Sequence, residues 1–385
     1  MSRAWVLASL LLSVALGASS AAHAADPATD QTRARMMQLV EALRVALPLS
    51  LSPEDFAAEA NRAKLEAALR RLRDSASSLA DHGQQSDVGF AHLSSTLARD
   101  ASEVHHRFVI GRTDEARFLL TELSSDCVAC HARLPYRGDS EIGRSLWSAV
   151  DAEDLPLEQR VQLQVATRQF GPALGSYEAL LAGRELAPTE LDLGGYLSDY
   201  LAVAIRVRGD LARARRHLDP WRKRADVPPY LQDLAGAWVE ALGSLDRPTT
   251  PGEEVARAKA VLADAAKLRR FPADRAGLVH DLVASGLLHR HVTALGKPSP
   301  ASAEAYYLLG VTELRIGSSY WLTEPEAYLE AAIRGAPGTP SARQAYVVLE
   351  ESSFAGYTGT GTEGELPPEV ARWLGELRRL AFGGG

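Results

Sequence analysis

Apolar residues recur at three- and four-residue spacing along most of the chain, and apolar–polar alternation is scarce, which is a helical pattern. Between about residues 30 and 135, breakers cut this pattern into four helices. The first runs from Thr32 to Leu47 and stops at Pro48. The second opens at Ser52-Pro53-Glu54-Asp55, a cap residue followed by proline and first-turn acids, and extends to Asp81. The third runs from Ser86 to Val109 and ends at Gly111, and the fourth starts at Thr113-Asp114-Glu115 and stops before Pro135. Short polar connections between helices of this length predict an antiparallel up-and-down bundle.

From Asp139 onward, Pro and Gly punctuate a longer series of helical segments: Pro156, Pro188, Gly209, Pro228-Pro229, Pro251-Gly252, Pro272, Pro298 and Pro337-Gly338. Tyr196 to Val207 and Ala276 to Leu295 are examples. The expected fold class is therefore all-α. Helix pairs at this spacing suggest an α-solenoid. Ser302 to Glu350 resembles a tetratricopeptide repeat, with Tyr306, Leu309 and Gly310 on its first helix and Leu329, Ala332 and Pro337 on its second. The two halves are out of register by three residues around Ser318 to Trp321, so the repeat is degenerate. Such an array offers a concave surface to a protein partner; the same helices also suit a plainly packed domain. Tyr320 and Trp321 are packing residues or partner anchors. Gly356 to Gly364 reads as a loop, and Pro367 starts a final amphipathic helix that caps the array.

Length and charge refine this picture. At 385 residues the chain exceeds one ordinary core, so two domains are expected. Arg3, the apolar run Ala4 to Leu16 and the small-residue site Ala22-His23-Ala24 form an export signal, too short to span a bilayer. The expected organisation is a signal over residues 1–24, a four-helix bundle over 25–138 and a helical array over 139–385, in a periplasmic protein. No later run is long and apolar enough to span a membrane. The formal charge of −7 becomes −8 once Arg3 leaves, and this mild acidity speaks against nucleic acid as a partner.

The only two cysteines stand in Cys127-Val128-Ala129-Cys130-His131. That is the attachment signature of c-type haem. Two thiols one helical turn apart add to the two vinyl groups along one porphyrin edge, and the adjacent imidazole reaches the iron as proximal ligand. A thioredoxin-like pair needs a strand before it, and the flanking sequence is helical. A zinc site needs further ligands. A plain disulfide does not require the histidine. One haem c per chain is thus expected, on Cys127, Cys130 and His131. Leu120, Leu123, Cys127, Cys130, His131 and Leu134 share a face, so the haem should lie between helices.

A four-helix bundle with the haem motif late in its fourth helix resembles cytochrome c-prime and its six-coordinate relatives, over roughly residues 30–137. Family members often follow the histidine with a Tyr-Arg pair three and four residues on. Here Leu134-Pro135 stand there and Tyr136-Arg137 follow two places later, so the contacts around the haem propionates are left open. The resemblance implies a distal face early in the first helix, where Met36 and Met37 are the only methionines beyond the export signal. Met36 shares the apolar stripe with Leu39, Val40, Leu43 and Leu47, whereas Met37 sits among Arg33, Glu41 and Arg44. Met36 is the preferred distal iron ligand and Met37 the alternative; both also suit core filling. His105 and His106 are rivals expected to face solvent, His82 belongs to a loop and His92 is unassigned. The family also often pairs through its first two helices, which implies a homodimer through the bundle.

The expected function is electron transfer through the haem, without catalysis, to a redox partner protein docked on the array. The alternative is a five-coordinate haem that binds nitric oxide or carbon monoxide, and a third reading makes the array an assembly factor with an ancillary haem. Chain matured in a host that attaches c-type haem should gain the mass of one haem. Cys127→Ser with Cys130→Ser should lose it, as read by intact-protein mass spectrometry.

Overall fold

The computed structural model describes residues 27–136, 138–150, 155–271, 273–317, 324–357 and 366–383. The expected export signal, Arg137, the register slip with Tyr320 and Trp321, and most of the Gly-rich loop lie outside these residues. The described chain is all-helical and contains no strand.

The first part comprises α1 (Pro27–Ser50), α2 (Pro53–Ala57), α3 (Glu59–Gly83), α4 (Val88–Val109) and α5 (Thr113–His131). Two details depart from the sequence expectation. Pro48 does not end α1, which continues to Ser50, where the Ser50 hydroxyl donates to the Leu47 carbonyl at 2.7 Å. The second segment breaks at Ala58, whose backbone is extended, and Asn61 Nδ2 donates to the Asp55 carbonyl across the break at 2.9 Å. That break lets Phe56 turn inward onto Phe108, edge to face at 5.7 Å. The sequence-read caps are present. Ser52 accepts from the Asp55 amide at 3.0 Å, and Gly111 takes a φ of 84° just after α4.

Helices α1, α3, α4 and α5 bury one core, including Leu39, Leu69, Leu72, Val104, Phe108, Leu120 and Leu123. Their order is antiparallel: Arg35 near the start of α1 donates to the Ser78 carbonyl near the end of α3 at 2.9 Å. Asp87 before α4 meets Arg133 just after α5. One end of this layer therefore gathers the start of α1, the end of α3, the start of α4 and the end of α5.

The remainder is α6 (Glu141–Trp147), α7 (Leu157–Ala166), α8 (Phe170–Ala182), α9 (Pro188–Leu193) and α10 (Tyr196–Ala202), which runs into a π-helical turn over Val203–Arg208. It continues with α11 (Leu211–Trp221), α12 (Pro229–Ser244), α13 (Glu254–Leu268), α14 (Leu278–Leu295), α15 (Ala303–Ile316), α16 (Glu324–Gly335), α17 (Pro340–Tyr357) and α18 (Pro368–Phe382). One core runs through α7 to α12 and the start of α14, around Tyr200, Trp221 and Trp238. Another spans α13 to α18, around Tyr306, Leu309, Tyr328 and Leu329. No described helix is long and apolar enough to cross a membrane.

Helices α15 and α16 approach closely because Gly310 faces Leu329: a Cβ built on Gly310 would lie 2.7 Å from the Leu329 side chain. Gly310→Val should cost about 1–3 kcal/mol by overpacking. The check is denaturant unfolding of variant and parent.

Candidate functional site

The motif found in sequence closes α5. Both thiols are free and half-buried. Cys127 and Cys130 are one turn apart on the helix, the spacing that two vinyl groups on one porphyrin edge demand. Burial pushes the Cys127 thiol up to about 12 and raises that of Cys130 as well.

His131 is held by a partner that sequence could not disclose. Its Nδ1 donates to the Ala166 carbonyl at 2.9 Å. Ala166 ends α7, and the last carbonyls of a helix lack partners within it, so this oxygen is free to accept. The bond sets the tautomer and leaves Nε2, which has no partner among the described residues, as the nitrogen available to a metal. Burial and the nearby Arg168 charge push the imidazole down to about 3, against the Ala166 bond, so the ring is neutral and able to bind a metal.

The turn that follows this carbonyl is fixed by one backbone and one side-chain bond. The Ser140 amide donates to the Arg168 carbonyl at 3.2 Å, and Gln169 Nε2 donates to the Ser140 carbonyl at 2.7 Å. Gly143 is needed there, because a Cβ would lie 1.8 Å from the Thr167 carbonyl oxygen.

The motif thus lies at a junction. Leu120 and Leu123 of α5 face the first core, whereas Val128 and Ala132 pack against the core of α7 to α12. Two residues past His131, Arg133 is only 3% exposed. It pairs with Asp87 at 2.8 Å and with Glu324 of α16 at 3.0 Å. Tyr328 donates to Glu324, and Asp87 also caps α4 through the Phe90 amide at 3.1 Å. Gly89 makes room, since a Cβ there would meet the Tyr328 hydroxyl and the Arg133 guanidinium. Arg133 carried no sequence signal; a buried arginine is recognised only from what surrounds it.

The two methionines are separated by the structure. Met36 is half-buried and packs against the first core, at the end of the layer where α5 finishes. Met37 is 51% exposed and borders an open depression between α1 and α3 with Glu41, Arg71 and Asp74. His105 and His106 lie in the last turns of α4, at the far end of the layer from His131. His106 is exposed, and His105 is half-buried beside Arg73 at 3.4 Å. His82 closes α3, its Nε2 at 2.8 Å from the Thr32 hydroxyl. His92 is half-buried, and burial, with the charges of Arg99 and Arg133, lowers its pKa.

No group of three His, Cys, Asp or Glu side chains converges among the described residues. A haem iron asks less of the chain, because the porphyrin supplies four of its ligands. Two free thiols at vinyl spacing and a neutral imidazole with its second nitrogen engaged suit a covalently attached haem.

Comparison with protein-family models, with curated proteins and with solved structures returned no match.

Asp126, immediately before Cys127, is buried, and its Oδ2 lacks a hydrogen bond. Burial and the neighbouring Asp100 push its carboxyl up to about 7. A raised carboxyl pKa means the folded chain holds the proton more tightly than the unfolded chain, where the group titrates near 4. The Asp126 contribution to stability should therefore fall as pH rises from about 4 to about 7. Asp126→Asn should lack that contribution, as read from the difference between the denaturant midpoints of variant and parent across the interval.

Proposed function

We propose that this chain is an exported, periplasmic monohaem c-type cytochrome that transfers electrons, with haem c bonded to Cys127 and Cys130 and its iron bound by His131. The observation that carries this reading is the imidazole at the end of α5, with Nδ1 tied to the Ala166 carbonyl and Nε2 without a partner among the described residues. When bound, the haem supplies a one-electron ferrous–ferric couple. The protein's own residues do the rest. Cys127 and Cys130 would hold the haem through thioether bonds to its two vinyl groups. Ala166 orients the imidazole, and its carbonyl makes the ring a stronger donor to iron.

On this reading α1, α3, α4 and α5 are the haem-carrying four-helix bundle within residues 25–138, resembling cytochrome c-prime. Residues 139–385 are a tetratricopeptide-like array on which a redox partner protein docks. The close meeting of Gly310 and Leu329 supports the helix pairing such a repeat requires. The exposed depression beside Met37 is the candidate face for pairing two bundles.

Met36 is the proposed distal ligand, since it turns toward the core while Met37 turns away. A thioether in that position raises the potential and closes the iron to outside ligands. The reduced holoprotein should therefore bind carbon monoxide poorly. Met36→Ala should open the iron to it, and Met37→Ala should leave the absorption spectrum unchanged. Rapid and complete carbon monoxide binding by the parent protein would replace this reading with a five-coordinate gas-binding one.

A further inference from the structure

The arginines at the junction fall into two kinds. Arg133 holds Asp87 and Glu324, Arg206 holds Glu313 at 3.3 Å, and Arg208 holds Asp139 at 2.7 Å. Arg168 differs. Among the described residues no carboxylate pairs with its guanidinium, its Nε is buried without a hydrogen bond, and its one recorded side-chain contact is a face-on stack over the Tyr136 ring at 3.9 Å. Its charge reaches both Cys130 and His131. Desolvation lowers the Arg168 pKa, as expected of a cation withdrawn from water without an anion beside it.

The backbone adds a second observation. Arg168 follows the end of α7 with a φ of 57°, and it is the only non-glycine residue at positive φ among those described. Glycine is the inexpensive choice at such a helix end, so a side chain there needs a reason. Arg168 is also two residues from the Ala166 carbonyl that orients His131, which ties its position to that of the iron ligand.

A half-buried guanidinium stacked on an aromatic ring presents a planar fork suited to a carboxylate. The described residues supply none, but a haem carries two. We propose that Arg168 receives a propionate of the covalently attached haem, so that the helical array contributes directly to the haem site. This rests on the haem reading above. The assignment gives Tyr136 a role as well: its ring holds the guanidinium flat while the Tyr136 amide is anchored to the Val207 carbonyl at 3.0 Å.

The test uses full-length holoprotein as parent, Arg168→Gly and Arg168→Lys. Glycine suits the positive φ, so R168G removes the guanidinium without straining the backbone. Haem attachment is read first, by intact mass, and the propionate-bending bands are then compared by resonance Raman spectroscopy. R168G should shift a propionate band and lower the midpoint potential, because a cation beside the haem disfavours the ferric form. R168K should lie between R168G and the parent, keeping the charge but losing the two-pronged bond. Propionate bands in both variants that coincide with the parent's, with haem fully attached, overturn the inference and leave the haem reading standing. A parent without attached haem overturns both.

Discussion

Arg133 lies between Asp87 and Glu324, out of reach of water, and the meeting of the two halves of the molecule rests on this contact. Asp87 opens α4, Arg133 follows α5 directly and Glu324 opens α16, so three chain segments distant in sequence converge on one cation. Burying a guanidinium with its carboxylates adds little net stability over a well-packed apolar substitute. Removing one partner from such a pair leaves a charge stranded, at a cost of about 3–5 kcal/mol. The contact therefore acts as a register device. It is satisfied in one docking of the halves and expensive to leave unmade in any other.

The surrounding network is built on the same terms. Burial pushes the Glu324 carboxyl up to about 7, and Arg133 offsets only part of that rise. Glu313 is also raised by burial, but Arg206 and the hydrogen bond from His289 outweigh it and bring the group down to about 2. His289 Nε2 lies 3.2 Å from Glu313, and its ring meets Tyr328 edge to face at 5.7 Å. Buried polar groups thus run from the start of α4 to the π-helical turn that carries Arg206. A network of this kind stiffens the junction, because each member relies on the placement of the next.

How much of this could be read in the chain depends on whether a signal is local. The Cys-Val-Ala-Cys-His run, the caps at Ser52 and Gly111 and the apolar positions Leu120 and Leu123 of α5 are local, and the caps and both leucines are where the pattern puts them. The choice between Met36 and Met37 is local too. A single residue step turns a side chain by about 100° around a helix, which separates the core face from the solvent face. The Ala166 carbonyl left no trace in the sequence, since every residue carries a carbonyl and only the fold decides which helix end meets His131. Arg133, Asp87 and Glu324 read as ordinary surface charges until they are brought together. The break at Ala58 escaped notice because alanine is a good helix former, and the demand comes from Phe56 reaching Phe108.

The burial of the motif also bears on the order of events if a haem is attached. The reactive form of a cysteine is its thiolate. In the folded chain burial drives the Cys127 thiol to about 12 and raises Cys130, so almost no thiolate exists at neutral pH. The residues that would flank a haem are locked on one side by the Ala166 bond and on the other by Arg133 with its carboxylates. Both features disfavour bond formation at these sulfurs after the halves have docked. On the haem reading, thioether formation precedes the docking of α7 and α16 onto the end of α5, and the array closes over a group already in place. The same order would account for α7 and α16 meeting the end of α5 although both cysteines lie in the first part of the chain: the later helices would complete the site last.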